Sequence, residues 1–360
     1  MKVLVLSRYV ARGASSRLRM LQYLPVFAGY GWACAESPLL DEAYLAAVYA
    51  GRKPGMWRLV CLYARRLAVL LGAWRYDRIW LEKELWPWAP GWLEAILLRL
   101  LPPAVIDYDD ALFHNYDQHP RAICRTLFAG KIATVMRSAS VVVAGSRYVL
   151  DYAKAAGVRR IEYVPTVVDL ARYAVPPACA PKPTCVVGWI GTPFTVKYLD
   201  LIAPALSALA RQGHVLELRV IGAAAPAIAG VAVQSRPWSV DREAEDIAAF
   251  DVGVMPLEDS QWERGKCAYK LIQYMACGVP VVASPVGMNA EVVGEGAQQA
   301  GFLAADTPAW MDALTQLLQA PELRQRLGAQ GRARVAAEYS LQVAAPRLAA
   351  IFNAVGAKGA

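Results

Sequence analysis

Short β-branched runs alternate along the chain with longer stretches of helical periodicity, and this alternation occurs twice. In the first half, KVLVLS precedes SSRLRMLQYLPVFAGYG and RIWLE precedes GWLEAILLRLL; in the second, CVVGWIG, LELRVIG and FDVGVMP start similar repeats. Alternation of strands and helices predicts parallel sheets with helices on both faces. A chain of 360 residues is long enough to bury two cores of ordinary domain size.

A proline-rich break, YAVPPACAPKPT, separates the two halves and is the best linker candidate in the chain. We therefore predict an N-terminal domain over 1–175 and a linker over 176–184. The C-terminal domain is expected over 185–340, and a final helical segment over 341–360.

Basic residues are concentrated in the first half. Residues 1–180 carry 23 Lys and Arg against 14 Asp and Glu, whereas 181–360 carry 15 and 16. Such a field suits nucleic acid or an anionic membrane, but no nucleic-acid module is recognisable. Tryptophans and arginines alternate in WRYDRIWLEKELWPWAPGW, which favours a bilayer interface. An ordinary role in the core is the alternative for these tryptophans.

Seven scattered cysteines without a CxxC pair predict neither a disulfide framework nor a zinc site, and they favour a reducing compartment. The opening MKVLVLSRYV has too short an apolar run for a signal peptide. Three arginines interrupt the apolar stretch 56–74, so we predict an amphipathic helix there and not a membrane span. The expected location is the cytoplasm, peripheral on the inner face of the membrane.

The segment GKCAYKLIQYMACGVPVVASPVG sets two lysines four residues apart at the head of a helix predicted to begin near Cys267. Acids normally occupy that position, so Lys266 and Lys270 predict a bound anion such as a diphosphate. Exposed lysines on an ordinary surface helix are the alternative. In the loop GWIGTPFTVKYL, Gly191 permits close backbone approach and Lys197 lies where the next helix begins. Plain turn geometry is the alternative for that glycine.

Taken together, MACGVPVVAS, GWIG…K, LRVIG and FDVGVMPL in the second half, and SSRLRMLQYLP, IDYDDALF and YVPTVVD in the first, resemble the GT-B glycosyltransferases of family 4. This family uses nucleotide-diphosphate sugars, and the resemblance covers roughly residues 1–345. It implies an α/β fold of two Rossmann-like parallel-sheet domains facing a cleft, with a C-terminal helix returning to the N-terminal domain. The donor would bind the C-terminal domain and the acceptor the N-terminal one.

The chain departs from the family at two glutamates, which fall on Gly265 and Gln273. The resemblance implies that Gln273 still bonds the ribose hydroxyls, through its carbonyl oxygen. Recognition of the donor sugar is then changed, or is made by a neighbour such as Glu263. The family's diphosphate lysine matches Lys197, while its arginine position holds Thr192.

The resemblance implies that the lysines stabilise the negative charge growing on the leaving diphosphate. Lys197, Lys266 and Lys270 would supply this stabilisation. No metal or other cofactor is expected, because the loops of the second half contain no DxD sequence. The nucleotide base is expected near Trp238 in SRPWS, and retention of the anomeric configuration is implied.

Acidic residues after a first-half strand, in DYDDALFHNYD, are candidates for the acceptor site. Asp110 is the first choice to accept or orient the acceptor proton, His114 is the second, and Asp109 lies beside them. Helix capping is the alternative role for the two aspartates.

The first loop, SRYVARGASSRLR, is a second candidate for acceptor binding. Gly13 permits close approach, and Arg17 and Arg19 could grip an anionic acceptor. An exposed position on an ordinary helix is the alternative for both arginines.

The chain is thus predicted to transfer a sugar from a nucleotide-diphosphate donor to a lipid-linked or polysaccharide acceptor at an anionic membrane surface, with no nucleic-acid partner. A sugar-nucleotide epimerase or hydrolase on the same fold is one alternative, since fold does not fix function. A non-catalytic partner that kept the fold is another, for which the missing glutamates are the best argument.

Overall fold

The computed structural model describes residues 1–173 and 184–356, which form two compact units. The first comprises Met1–Thr166 together with the residues from Ala344 onward, and the second comprises Val167–Val343. The predicted linker 176–184 lies outside the described residues except for Thr184. The α/β fold with two parallel sheets is confirmed, as the two units each contain one.

The first unit is built on a six-stranded parallel sheet of order β2-β1-β3-β4-β5-β6. Every residue of the central strands β4 and β5 is buried, as expected of a sheet covered on both faces. The strands are β1 Lys2–Leu6, β2 Ala33–Glu36, β3 Arg78–Glu82, β4 Ala104–Tyr108, β5 Val141–Ala144 and β6 Ile161–Tyr163. The helices are α1 Ala14–Arg19, α2 Leu24–Gly29, α3 Glu42–Tyr49, α4 Met56–Leu71, α5 Gly91–Leu100, α6 His114–Asp117, α7 Ala122–Phe128, α8 Lys131–Ser138 and α9 Arg147–Ala155.

The second unit repeats this plan with the strand order β12-β11-β10-β7-β8-β9, again all parallel. Its strands are β7 Cys185–Ile190, β8 Leu216–Ile221, β9 Ala232–Arg236, β10 Val252–Met255, β11 Val281–Ala283 and β12 Gly301–Leu303. Its helices are α10 Ala203–Arg211, α11 Glu243–Ala248, α12 Gln261–Arg264, α13 Tyr269–Ala276, α14 Asn289–Val293, α15 Thr307–Gln319 and α16 Pro321–Glu338. The last helix, α17 Leu341–Ala354, runs into the first unit.

The boundary between the units falls after Thr166, earlier than the predicted residue 175. The segment that follows is bound to the second unit, where Val168 forms a backbone bridge with Ser340 and Tyr173 lies within hydrogen-bond distance of Gln273. These contacts hold the chain in the second unit before the proline-rich stretch begins.

The end of the chain packs on the core of the first unit. The Phe352 ring lies 5.4 Å from the Trp80 ring and 5.6 Å from the Trp32 ring, centroid to centroid. Burial of large aromatic rings stabilises such a contact strongly. The first unit is therefore assembled from both ends of the chain.

Candidate functional site

Two glycines bring the ends of strands β7 and β8 together in the second unit. A Cβ on Gly191 would stand 2.4 Å from the Trp189 ring, and one on Gly222 would stand 2.3 Å from the Gly191 carbonyl oxygen. Gly222 also has a φ of 87°, which favours glycine. The same Cβ on Gly222 would stand 3.3 Å from the Trp238 Cβ. The predicted base-binding tryptophan therefore lies beside the end of β8.

Lys270 is a partly buried cation without an anion beside it in the described residues. Its Nζ lies 4.4 Å from the centre of the Trp189 ring, and no residue in 1–173 or 184–356 makes a hydrogen bond or ion pair with it. Burial, followed by the charge of Lys266, lowers the pKa of Lys270 to about 7. An unpaired buried ammonium is costly unless a ligand compensates it.

Lys266 reaches the same region from outside the helix. Helix α13 begins at Tyr269, two residues later than predicted, because Ala268 takes a left-handed conformation with φ of 54°. Lys266 therefore lies before the helix, and only Lys270 lies in its first turn. The Lys266 Nζ lies 3.3 Å from the Tyr198 hydroxyl and 3.6 Å from the Glu263 carboxylate. Burial is the main cause that lowers its pKa.

Lys197 lies in a 3-10 helix, Val196–Leu201, that follows the turn at Thr192. Its side chain is exposed, with Nζ 5.0 Å from the centre of the Tyr198 ring. The Thr192 carbonyl accepts from the backbone N–H groups of Thr195 and Val196, which closes the turn. Tyr198 is therefore the shared neighbour of Lys197 and Lys266.

Glu263 is buried beside these lysines. It accepts hydrogen bonds from the hydroxyls of Tyr198 and Ser260. Burial opposes its ionisation, but those hydrogen bonds and the charge of Lys266 hold its pKa below the usual value. The sequence suggested Glu263 only as a neighbour of Gly265, and the structure places it at the end of α12 against Tyr198.

Gln273 is buried in α13 and joined to two residues that the sequence did not suggest. Its Nε2 donates to the Tyr173 hydroxyl at 3.3 Å, and that hydroxyl donates to the Glu243 Oε1 at 2.7 Å. The other oxygen of Glu243 accepts from the Trp238 indole N–H at 2.7 Å. Gln273, predicted to contact the ribose, and Trp238, predicted to contact the base, are therefore linked through the Glu243 carboxylate.

In the first unit, the paired aspartates after β4 are held by Lys83. The Lys83 Nζ lies 2.8 Å from Asp109 and 3.0 Å from Asp110, and the Ser15 hydroxyl oxygen lies 2.7 Å from Asp109. Lys83 itself has a φ of 67°. Burial raises the pKa of Asp110, although Lys83 opposes the shift. Asp110 Oδ1 is buried without a hydrogen-bond partner in the described part of the chain.

A second group of buried charges surrounds this cluster. Glu82 accepts from the Arg8 backbone N–H at 2.7 Å and from both Ser15 and Ser16. Its neighbour Glu84 pairs with Arg8 at 3.0 Å and with Lys131 at 2.7 Å. This burial was not predicted, since LEKELW looks like an exposed charged run.

The remaining acceptor candidates have other partners. His114 uses both ring nitrogens, with Nδ1 2.9 Å from Asp117 and Nε2 2.9 Å from the Tyr148 hydroxyl. Arg19 is buried in a bidentate pair with Asp107 at 2.8 and 2.9 Å, so it is not the exposed or ligand-gripping arginine expected.

At the first loop, the space over Gly13 is filled by the side chain of Tyr9. A Cβ on Gly13 would stand 2.4 Å from the Tyr9 Cβ. The Arg17 Nη1 donates to the Ala11 carbonyl at 3.2 Å. Both candidates thus lie at the start of α1, close to Ser15.

Groups of His, Cys, Asp or Glu that could hold a metal ion do not occur among residues 1–173 and 184–356. In the same residues, no helix is long and apolar enough to cross a membrane.

The fold has relatives among solved structures that cover nearly the whole chain. Sucrose-phosphate synthase from Thermosynechococcus elongatus shares 15% identity with a TM-score of 0.71, covering 98% of each chain. Anabaena HepE, solved with UDP and glucose, shares 16% identity with a TM-score of 0.70, covering 98% of this chain and 100% of that one. A glycosyltransferase from Rickettsia africae shares 11% identity with a TM-score of 0.68, covering 98% of both. No curated protein matches the chain in sequence.

These relatives and the two parallel sheets define the GT-B fold, which is the architecture expected from the resemblance. The family model for glycosyl transferases group 1 matches residues 184–320 of the chain. Most of the second unit therefore matches the group 1 glycosyltransferase family, and the predicted family resemblance is confirmed.

Proposed function

We propose that the chain transfers a sugar from a nucleoside-diphosphate sugar to a lipid-linked or glycan acceptor. Lys270 carries this proposal, because it is a partly buried ammonium at the first turn of α13, with no anion of the described residues beside it. A diphosphate would compensate that charge, and those of Lys266 and Lys197, together with the free N–H groups of the helix. The complex of HepE with UDP and glucose supports UDP as the first nucleotide to test.

In this proposal the lysines act on the leaving group. Negative charge grows on the diphosphate as the glycosidic bond breaks, and Lys197, Lys266 and Lys270 stabilise it. Gln273 accepts from the ribose hydroxyls through its Oε1, and Trp238 contacts the base. Gly191 and Thr192 form the turn beside the diphosphate. The reaction retains the anomeric configuration, which NMR of the first product formed would test.

Asp110 is the proposed proton acceptor for the attacking hydroxyl, because its Oδ1 has no partner among the described residues. Lys83 and Asp109 orient it, and Arg17 and Gly13 form the acceptor side of the α1 loop. His114 is the weaker candidate, since both of its nitrogens are engaged. With an acceptor that supports transfer, Asp110→Asn should lower kcat about a hundredfold and leave UDP affinity unchanged. A kcat within about twofold of wild type would exclude Asp110 as the base.

We also propose that the lysines make a divalent metal unnecessary. Transfer should then proceed at an unchanged rate in excess EDTA. Loss of transfer that added Mg²⁺ or Mn²⁺ restores would contradict this part.

The test of the donor site is a thermal-shift screen with UDP, GDP, ADP and the corresponding sugar nucleotides. One nucleoside diphosphate should raise the unfolding midpoint of the wild type and fail to do so for Lys270→Ala. Arg211→Ala, an exposed cation at the end of α10, is the matched control and should keep the full shift. Absence of any shift would favour the non-catalytic alternative. Conversion of the sugar nucleotide without acceptor would favour the epimerase or hydrolase.

A membrane surface is proposed as the partner of α4. The buried side of this helix includes Leu62, Arg66 and Leu70. A second, exposed stripe has the same helical spacing and is almost wholly apolar; it consists of Trp57, Val60, Cys61, Ala64, Leu67, Ala68 and Leu71. Trp57 is 82% exposed and Leu71 is 78% exposed. Exposed cations flank the stripe at 52–53 and at 75. An apolar stripe between basic residues complements an anionic bilayer.

Vesicle sedimentation tests this surface. Vesicles of phosphatidylglycerol and phosphatidylcholine should bind the protein, and binding should fall steeply as salt is raised. The double variant Trp57→Ser with Leu71→Ser should lose most of the binding, while Val215→Ser, an exposed apolar position in the second unit, should not. Absent or salt-insensitive binding would contradict the proposal.

A further inference from the structure

We infer that Glu243 is the positioning residue of the nucleoside pocket, taking over the negative charge that the family's acid would supply at position 273. This inference rests on the proposed donor site. Glu243 is buried and accepts through both oxygens, from the Trp238 indole and from the Tyr173 hydroxyl. One carboxylate therefore orders the side chains proposed for both the base and the ribose.

The direction of the hydrogen bonds fixes the amide of Gln273. Because Tyr173 has one proton and gives it to Glu243, its oxygen can only accept from Gln273. The Nε2 of Gln273 must then face Tyr173, and Oε1 is turned away. Tyr269 makes a further side-chain hydrogen bond to Tyr173. The carbonyl oxygen of Gln273 has no hydrogen-bond partner in the described residues, so it remains able to accept from a ribose hydroxyl.

Exchanging the acid at position 243 and the amide at position 273, singly and together, gives a specific prediction. In Glu243→Gln, the new amide donates to Tyr173, so the Tyr173 proton turns to Gln273 and flips its amide. The ribose then meets a donor in place of an acceptor. In Gln273→Glu, two carboxylates compete for one hydroxyl proton and repel each other. In the double exchange, Tyr173 donates to the carboxylate now at position 273 and accepts from the amide now at position 243, so every group is satisfied again.

Calorimetric titration with UDP, GDP and ADP, and with inorganic pyrophosphate, tests this cycle. For the nucleotide that the wild type binds, each single variant should weaken affinity about tenfold, the loss expected for one misdirected hydrogen bond. The double exchange should recover at least half of the lost binding free energy, so that its affinity is within about threefold of wild type. Pyrophosphate affinity should not change in any of the three, because the lysines hold it. Glu245→Gln, an exposed position on the same helix, is the matched control.

Three results would overturn the inference: Glu243→Gln binding the nucleotide like wild type, pyrophosphate weakening in parallel, or the double exchange staying as weak as the singles. A parallel loss of pyrophosphate would mark Glu243 as a structural residue only. If the wild type binds none of the three nucleotides, the proposed function itself fails. That outcome is distinct, because it appears before any variant is made.

Discussion

Lysines removed from water are treated in opposite ways in the two units: Lys131 is buried and paired, and Lys270 is partly buried and unpaired among the described residues. In the first, Lys131 lies between two carboxylates, with its Nζ 2.7 Å from Glu84 and 3.0 Å from Glu94. In the second, Lys270 has the Trp189 ring as its neighbour, and no carboxylate of the described residues pairs with it. Only Lys131 is therefore neutralised by the fold.

This difference distinguishes charges that stabilise the fold from charges that are available to bind a ligand. A buried ion pair whose hydrogen bonds are complete needs nothing more from a ligand, and breaking it leaves an unpaired charge. A cation that is partly removed from water and has no anion beside it is a cost that a ligand can remove, so it points to function. Asp110, with one oxygen unpartnered in the described residues, lies between these two cases in the first unit.

The largest effect is expected at Lys131. Lys131→Met leaves Glu94 buried without its cation and leaves Glu84 paired with Arg8, so the free energy of unfolding should fall by about 3–5 kcal/mol. Urea denaturation of the variant measures this. Lys154→Met, which breaks an exposed pair with Asp151, is the control and should unfold like the wild type. If the two variants were equally stable, the buried pairs would not be the scaffold described here.

The next effect is the pH dependence of nucleotide binding. The pKa of Lys270 in the free protein is about 7, so the ammonium is lost as pH rises, whereas a bound diphosphate favours the charged form. UDP affinity should therefore fall about tenfold between about pH 7 and 8.5, and binding at about pH 8 should take up a proton. Calorimetry in buffers of different ionisation enthalpy measures both quantities.

Lys270→Arg supplies the control for that profile. An arginine stays charged throughout the range, so its affinity should change little with pH. A wild-type profile that is equally flat would mean that Lys270 does not titrate near neutrality, and the contrast with Lys131 would lose its basis.

The smallest effect is expected from backbone strain, which occurs beside both clusters. Lys83 and Ala268 each have a positive φ. Ala268→Gly removes the strain of a left-handed alanine, offset in part by the flexibility of glycine in the unfolded chain, so stability should rise by about 0.5–1 kcal/mol. Thermal unfolding measures it. A loss of stability would show that the Ala268 methyl group packs more favourably than the strain costs.

The sequence predicted what depends on local pattern. Both parallel sheets followed from the alternation of strands and helices, and the turn after α13 followed from Gly278, whose φ is 71°. Helix α13 begins later than predicted because Ala268 takes a left-handed conformation. That conformation leaves no signal in the composition, so the sequence could not predict it.

The rest of the site depends on contacts between residues distant in the chain. Tyr173 and Glu243 meet across 70 positions, and in sequence they belong to a linker and to an acidic run, DREAED. The buried EKE segment at the end of β3 likewise reads as solvent-exposed. Charge pairing of this kind becomes visible only when the fold brings the partners together.

The most direct test of the account is the unfolding midpoint of Lys270→Met, measured with and without saturating UDP. Without UDP, the variant should unfold at the wild-type midpoint or higher, because it no longer holds an unpaired cation partly out of water. With UDP, the wild type should gain stability and the variant should gain little. A variant that is less stable than the wild type without UDP, or that gains as much from UDP, would contradict the assignment of Lys270 to a nucleoside-diphosphate site.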